Sequence, residues 1–257
     1  MTKIEEKISN LPVSSLYFAR NYLGIINIIL FIIATIAVIN LKMPFYLKNT
    51  LSWIIVSMPW LYYWLAKKID KVLINLLVEK VDLNKYEAYW LKHVNSKFGT
   101  KALAYHALGV VAFYCGNFDE SLHYFEQSRH EKRQSEKVKR LLEDDREVFI
   151  IQSKIFLERS GNSKSSDFQE VIRLLASKPY LKAILDVVYN KQSSHYFETN
   201  QEEKKTKIGK LLHQYYKAEN SLLLGNKEKS KELFANLVKE NPRLFIVQES
   251  KKKLSVL

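Results

Sequence analysis

The chain has 257 residues, 40 Lys and Arg against 27 Asp and Glu, a net charge of +13, and a single cysteine, Cys115. One cysteine excludes an intramolecular disulfide and fits a reducing compartment. Seven glycines and five prolines leave little material for turns, and strand-type alternation is hard to find, so the chain reads as all-α.

Residues 1–21 form a short polar segment carrying Lys3, Lys7 and Arg20. Residues 22–39 follow as eighteen residues without a charge, enough helix at about 1.5 Å per residue to cover most of a hydrocarbon core of roughly 30 Å. A second uncharged stretch, residues 51–66, is short for a span, but Lys48 and Lys67 flank it and can snorkel to extend its reach. A signal peptide fits poorly: the first stretch exceeds the usual apolar core, and no Ala-x-Ala pattern follows before Lys42. Trp60, Tyr62, Tyr63 and Trp64 beside Lys67 and Lys68 have the composition of a head-group boundary. Residues 22–66 are therefore expected to be a transmembrane helical hairpin. Lys3, Lys7 and Arg20 before it and Lys67, Lys68 and Lys71 after it place both termini in the cytoplasm of a multi-pass cell-membrane protein.

Beyond the hairpin, Ile69, Val72, Leu73, Leu76 and Leu77 recur at helical spacing with no Gly or Pro over 67–80, so the helix is expected to continue out of the membrane. Residues 86–94 read as a further helix ending near Phe98-Gly99-Thr100, and 67–100 as a juxtamembrane connector. Residues 1–66 hold five basic and two acidic groups, so most of the positive excess lies in the polar remainder, where some of it can contact anionic lipid. Interleaved charges over 130–140 and 200–210 read as exposed helix ends or linkers, and the lysine-bearing tail 250–257 as a frayed terminus.

From Lys101 a pattern emerges: Tyr105, Leu108-Gly109, the turn Gly116-Asn117, Phe118, Ser121, Phe125 and Ser128. It returns near the end as Ala218, Gly225-Asn226, Ser230, Phe234, Leu237 and Pro242. Small residues stand where two antiparallel helices would press together, and glycine where the chain must reverse. These residues resemble the tetratricopeptide repeat, clearly over about sixty residues and loosely over 101–257. A degenerate third copy reads over 148–159, Gly161-Asn162, 168–176 and Pro179, with another helix at 181–189. The expected architecture is thus two N-terminal transmembrane helices followed by a helical-hairpin array, and the resemblance implies that the first helix of each hairpin lines a concave groove. Groove positions carried over from it are Leu103, His106, Val110, Phe113 and Tyr114, then Leu212, Tyr215, Glu219, Leu222 and Leu223. The carboxylate-clamp version of the family has Lys and Asn where this chain has His106 and Val110, which argues against a carboxylate clamp.

Catalytic patterns are not found. There is no His-Glu-x-x-His, phosphate-binding glycine loop or Cys-x-x-Cys, and the six histidines are scattered. No metal or cofactor is expected, and no enzyme activity. Basic residues spread among acids rather than forming a stripe, so nucleic acid is not the expected partner. The function expected is a scaffold or adaptor that holds a protein or peptide at the cytoplasmic face of the membrane. Alternatives are a peptide sensor, an immunity-type regulator or an accessory subunit of an export complex. The Ile-, Lys- and Asn-rich composition points to a bacterial source.

Overall fold

The computed structural model describes residues 2–40, 44–96, 101–131, 136–161, 175, 178–199 and 206–257. Among these the structure is helical and holds no strand. It divides into two compact units, Met1–Leu77 and Val78–Leu257. The connector expected over 67–100 is therefore not one element: its first part belongs to the N-terminal unit and its helix to the C-terminal one. The expected stop at 98–100, the loop residues 41–43, and most of the degenerate repeat's second half (162–174, 176 and 177) lie outside the described residues. So do 132–135 and 200–205 of the two charged runs.

The N-terminal unit contains α1 (Lys3–Asn10), α2 (Val13–Asn21), α3 (Leu23–Asn40) and α4 (Phe45–Val78). Helix α1 starts with a capping box: the Thr2 hydroxyl accepts from the Glu5 backbone N–H at 3.3 Å, and the Glu5 carboxylate accepts from the Thr2 N–H at 2.9 Å. Helix α3 has a mean hydropathy of 2.6 over eighteen residues, of which Gly24 is buried, and is the one described helix long and apolar enough to cross a membrane. The first half of α4 falls short of that, because its tryptophans and tyrosines carry a polar edge and its serines are polar. As expected, α4 runs unbroken past Ala66, through Pro59, and Ile69, Val72, Leu73 and Leu76 form a buried stripe at three- and four-residue spacing. Polar contacts tie the unit together. Arg20 grips Asp70 with two hydrogen bonds (2.6 and 3.2 Å), the Tyr62 hydroxyl donates to the Arg20 carbonyl (3.0 Å), and Asn27 donates to the Met58 carbonyl (3.3 Å). Gly24 permits the approach of α3 to α4, since a Cβ there would lie 2.6 Å from the Tyr62 hydroxyl.

The C-terminal unit contains α5 (Leu83–Val94), α6 (Ala102–Cys115), α7 (Phe118–His130), α8 (Glu136–Arg159), α9 (Pro179–Leu185), a π-helical turn Asp186–Asn190, α10 (Tyr196–Thr199), α11 (Lys207–Leu223), α12 (Lys227–Leu237) and α13 (Phe245–Leu254). The helix expected over 181–189 thus ends early and widens into the π turn. The pairs α6/α7 and α11/α12 are built alike. Gly116 (φ 84°) and Gly225 (φ 79°) are left-handed. In each, the following asparagine N–H reaches back 2.9 Å to a carbonyl of the helix's last turn, Asn117 to Ala112 and Asn226 to Ser221. In each, a serine on the second helix donates to a carbonyl twelve residues earlier: Ser121 to Gly109 (2.8 Å) and Ser230 to Ala218 (2.9 Å). Gly161 (φ 74°) makes a third left-handed turn at the end of α8.

The unit closes on itself. The tail expected to fray is instead helix α13, with Ser250 buried and Lys253 paired to the buried Glu219 at 3.0 Å. Just before it, Asn241 donates to the Val81 carbonyl (2.7 Å), and Arg243 pairs with Glu87 (2.8 Å) and Asn84. The Phe245 ring then stands 5.7 Å from Phe113, 5.0 Å from Phe156 and 5.8 Å from Tyr215, joining both hairpins and α8 in one aromatic core.

Candidate functional site

Closure decides what became of the expected groove. His106 is buried, its Nε2 lying 2.8 Å from the Asp145 carboxylate on α8. Val110, Phe113 and Tyr114 are buried, with the Phe149 ring of α8 at 5.1 Å from Phe113 and 5.8 Å from Tyr114. Tyr215 and Glu219 are buried under α13, and Leu212 is buried too. Leu222 is partly exposed, while Leu103 and Leu223 face outward. The face that an open array would offer to a partner is thus covered by this chain's own α8 and α13. Burial pushes the Tyr114 and Tyr215 phenols well above their ordinary value, so both stay neutral at any physiological pH.

A cleft of about 350 Å³ lies open where the α6/α7 turn, the end of α8 and α13 meet. Its floor is aromatic. Phe118 and Phe156 stack at 4.7 Å with nearly parallel rings, and Phe245 meets both edge-on at 5.5 and 5.0 Å. Phe118 is partly exposed, whereas Phe156 and Phe245 are buried. The rim is polar: Asn117, Ser160, Arg159, Gln248, Glu249 and Lys252. Glu249 is shared between Arg159 (3.4 Å) and Lys252 (3.0 Å), so two cations bracket one carboxylate. A second hollow shares Gly116, Asn117, Phe118, Phe156 and Ser160 and continues to Asp119, Glu120 and Leu157.

Comparisons with protein-family models, curated proteins and solved structures returned no match. The cleft has therefore to be read from its own chemistry. An aromatic floor with a mixed-charge rim suits an apolar side chain flanked by polar backbone or carboxylate groups. Burial pushes the Cys115 thiol at its edge above the ordinary value, the Arg243 charge opposing, so the thiolate is scarce. Behind the rim, burial and the Arg159 charge push the Lys191 ammonium down, with Glu219 opposing. Among the described residues no three His, Cys, Asp or Glu side chains gather as metal ligands.

Of the cleft residues, Gly116, Asn117 and Phe118 stood out in sequence as part of the repeat pattern, and Cys115 as the single cysteine. Phe156, Arg159, Phe245, Gln248 and Lys252 come from helices far apart in the chain. The nearest sequence signal was the apolar run Leu244-Phe245-Ile246-Val247 after Pro242, too apolar for a frayed tail.

Proposed function

We propose that this protein is a membrane-tethered interaction module. In this reading α3 and the apolar half of α4 lie in the membrane as a hairpin, and a tetratricopeptide-like helical body holds a protein or peptide partner on the cytoplasmic side, without catalysis. The observation that carries the membrane part is the outward face of both helices. Ile28, Ile33 and Ile36 of α3 and Trp53, Trp60 and Leu61 of α4 are each more than half exposed. An apolar surface of that extent is stable only in contact with lipid or another apolar partner. Antiparallel neighbours share a depth. The contacts of Gly24 and Asn27 with Tyr62 and Met58 therefore carry α4 into whatever layer α3 occupies. Asn27 faces the α4 backbone, which satisfies its amide away from lipid.

The body's binding role is supported by the paired hairpins and by the open cleft beside Gly116. The test is an in-cell photo-crosslink from position 248, exposed on the cleft rim, against position 229 on the outer face of α12. A discrete adduct from 248 that is lost with Phe118→Ala or Lys252→Glu supports the reading. Equal adducts from both positions, or release of the chain from membranes by carbonate, overturns it.

A further inference from the structure

Polar contacts of Glu5 and Arg20 hold residues 2–20 to one level of α4. Glu5 is fully buried, and its carboxylate receives Lys68 at 3.1 Å, Lys71 at 2.9 Å and the Thr2 N–H at 2.9 Å. At the other end of the segment Arg20 holds Asp70. Residues 63 to 68 of α4 mark the boundary layer, for Lys67 sits 4.6 Å over the Tyr63 ring and Lys68 5.8 Å from the Trp64 ring. At about 1.5 Å per residue, the Glu5 contacts lie roughly 6–10 Å beyond Trp64 along the helix. A head-group layer is roughly 5–8 Å thick, which places these contacts toward its aqueous side.

Helices α1 and α2 and the joint between them turn apolar side chains outward at this level. Ile4, Leu11 and Phe18 are each between 41% and 49% exposed, and the Phe18 ring stacks on Tyr22 at 5.6 Å where α3 begins. Around them Lys3, Lys7, Lys67 and Lys71 are exposed. The opposing carboxylates are Glu5, already held by Lys68 and Lys71, Asp70, held by Arg20, and the exposed Glu6. The patch therefore keeps a positive excess, continuous with the apolar face of α3.

We propose that α1 and α2 form a belt at head-group depth that selects anionic phospholipid. Ile4, Leu11 and Phe18 lie among the head groups on the side toward the acyl boundary, Lys3, Lys7 and Lys67 take the phosphate and head-group charge, and Glu5 pins α1 at that depth. This rests on the membrane reading above. The Glu5 pin explains why an acid is buried amid a cationic patch: without it, α1 would be repelled by Lys68 and Lys71.

The test uses the full chain with Cys115→Ser, in vesicles of phosphatidylcholine alone or mixed with phosphatidylglycerol. An environment-sensitive label is placed by Leu11→Cys or, separately, by Ile33→Cys. Quenching of the residue-11 label by lipids brominated near the head group, stronger in anionic vesicles, supports the belt. Lys3→Gln with Lys7→Gln should reduce the anionic preference by about fivefold per lysine, and Glu5→Gln should release the label to aqueous iodide. If the residue-33 label is lipid-quenched while the residue-11 label stays open to iodide, the belt is overturned and the membrane hairpin stands. Shielding of residue 11 from both quenchers means protein covers this face and also overturns the belt. A residue-33 label open to iodide sinks both readings.

Discussion

Gly116 and Gly225 offer a controlled measurement of how tightly α13 closes the body. Both are left-handed, at φ 84° and 79°, and both end a first helix of a hairpin with the same backbone hydrogen bonds. Their surroundings differ. A Cβ on Gly225 meets nothing within 4 Å, whereas one on Gly116 would lie 2.9 Å from the Phe245 Cβ. An L residue in this conformation costs about 1–2 kcal/mol, offset by about 0.4–1 kcal/mol from the stiffer unfolded chain. Gly225→Ala should therefore cost about 1 kcal/mol. Gly116→Ala carries the same cost plus about 1–3 kcal/mol of overpacking, since carbon atoms prefer roughly 3.5–4.0 Å and Phe245 is held by rings on several sides. For a body of this size each kcal/mol moves Tm by about 2–4 °C. In detergent-solubilised full chain followed by intrinsic fluorescence, Gly225→Ala should lower Tm by about 2–4 °C and Gly116→Ala by about 4–16 °C. Equal shifts would refute the reasoning, because they would mean that Phe245 is not locked against the first hairpin.

The Thr2 N–H and the Lys71 and Lys68 ammoniums hold the Glu5 carboxyl down at about 2, against 4.5 unperturbed. Its folded value is the lower one, so the docking it contributes is complete above pH 4.5 and fades as pH falls toward 2. Anisotropy of a label introduced by Ile4→Cys (with Cys115→Ser) should drop over that interval; a flat profile refutes the pin. Ser121→Ala and Ser230→Ala each remove the matching buried bond to the first helix and should each cost about 1 kcal/mol in denaturant titrations, Ser121→Ala slightly more because its hydroxyl also accepts from Ser153 at 3.5 Å. If one is silent, the two hairpins are not energetically alike. With its thiol pushed up by burial, Cys115 should alkylate more slowly than free cysteine at neutral pH and match it in denaturant, as read by mass spectrometry. Equal rates in the folded protein would place the thiol in a different setting.

The elements most readable in sequence were those set by neighbours along the chain. The turn glycines announced their left-handed conformations, because little else reverses a helix in two residues. The small residues Gly109 and Ser121 announced a close helix pair, and a Cβ at Gly109 would indeed come within 2.8 Å of the Phe125 ring. The apolar stripe from Ile69 to Leu76 announced a buried helix face. The candidate site was far less legible. Phe113, Tyr114 and Tyr215 carry the same apolar character whether they line an open groove or a closed core, and periodicity reports only that a face is apolar, not what covers it.

Sequence by itself determined that the polar body is helical, where its hairpins turn, and that an uncharged eighteen-residue stretch stands near the start. Tertiary structure alone decided that α13 returns to the first hairpin, that Phe245 completes its core, that a cleft opens beside Gly116, and that Glu5 is buried against Lys68 and Lys71. The reason is the range of the forces involved. Helix and turn preferences act over a few residues, whereas the Phe113–Phe245 and Glu5–Lys71 contacts join residues far apart in the chain, and only a packed fold brings such partners together.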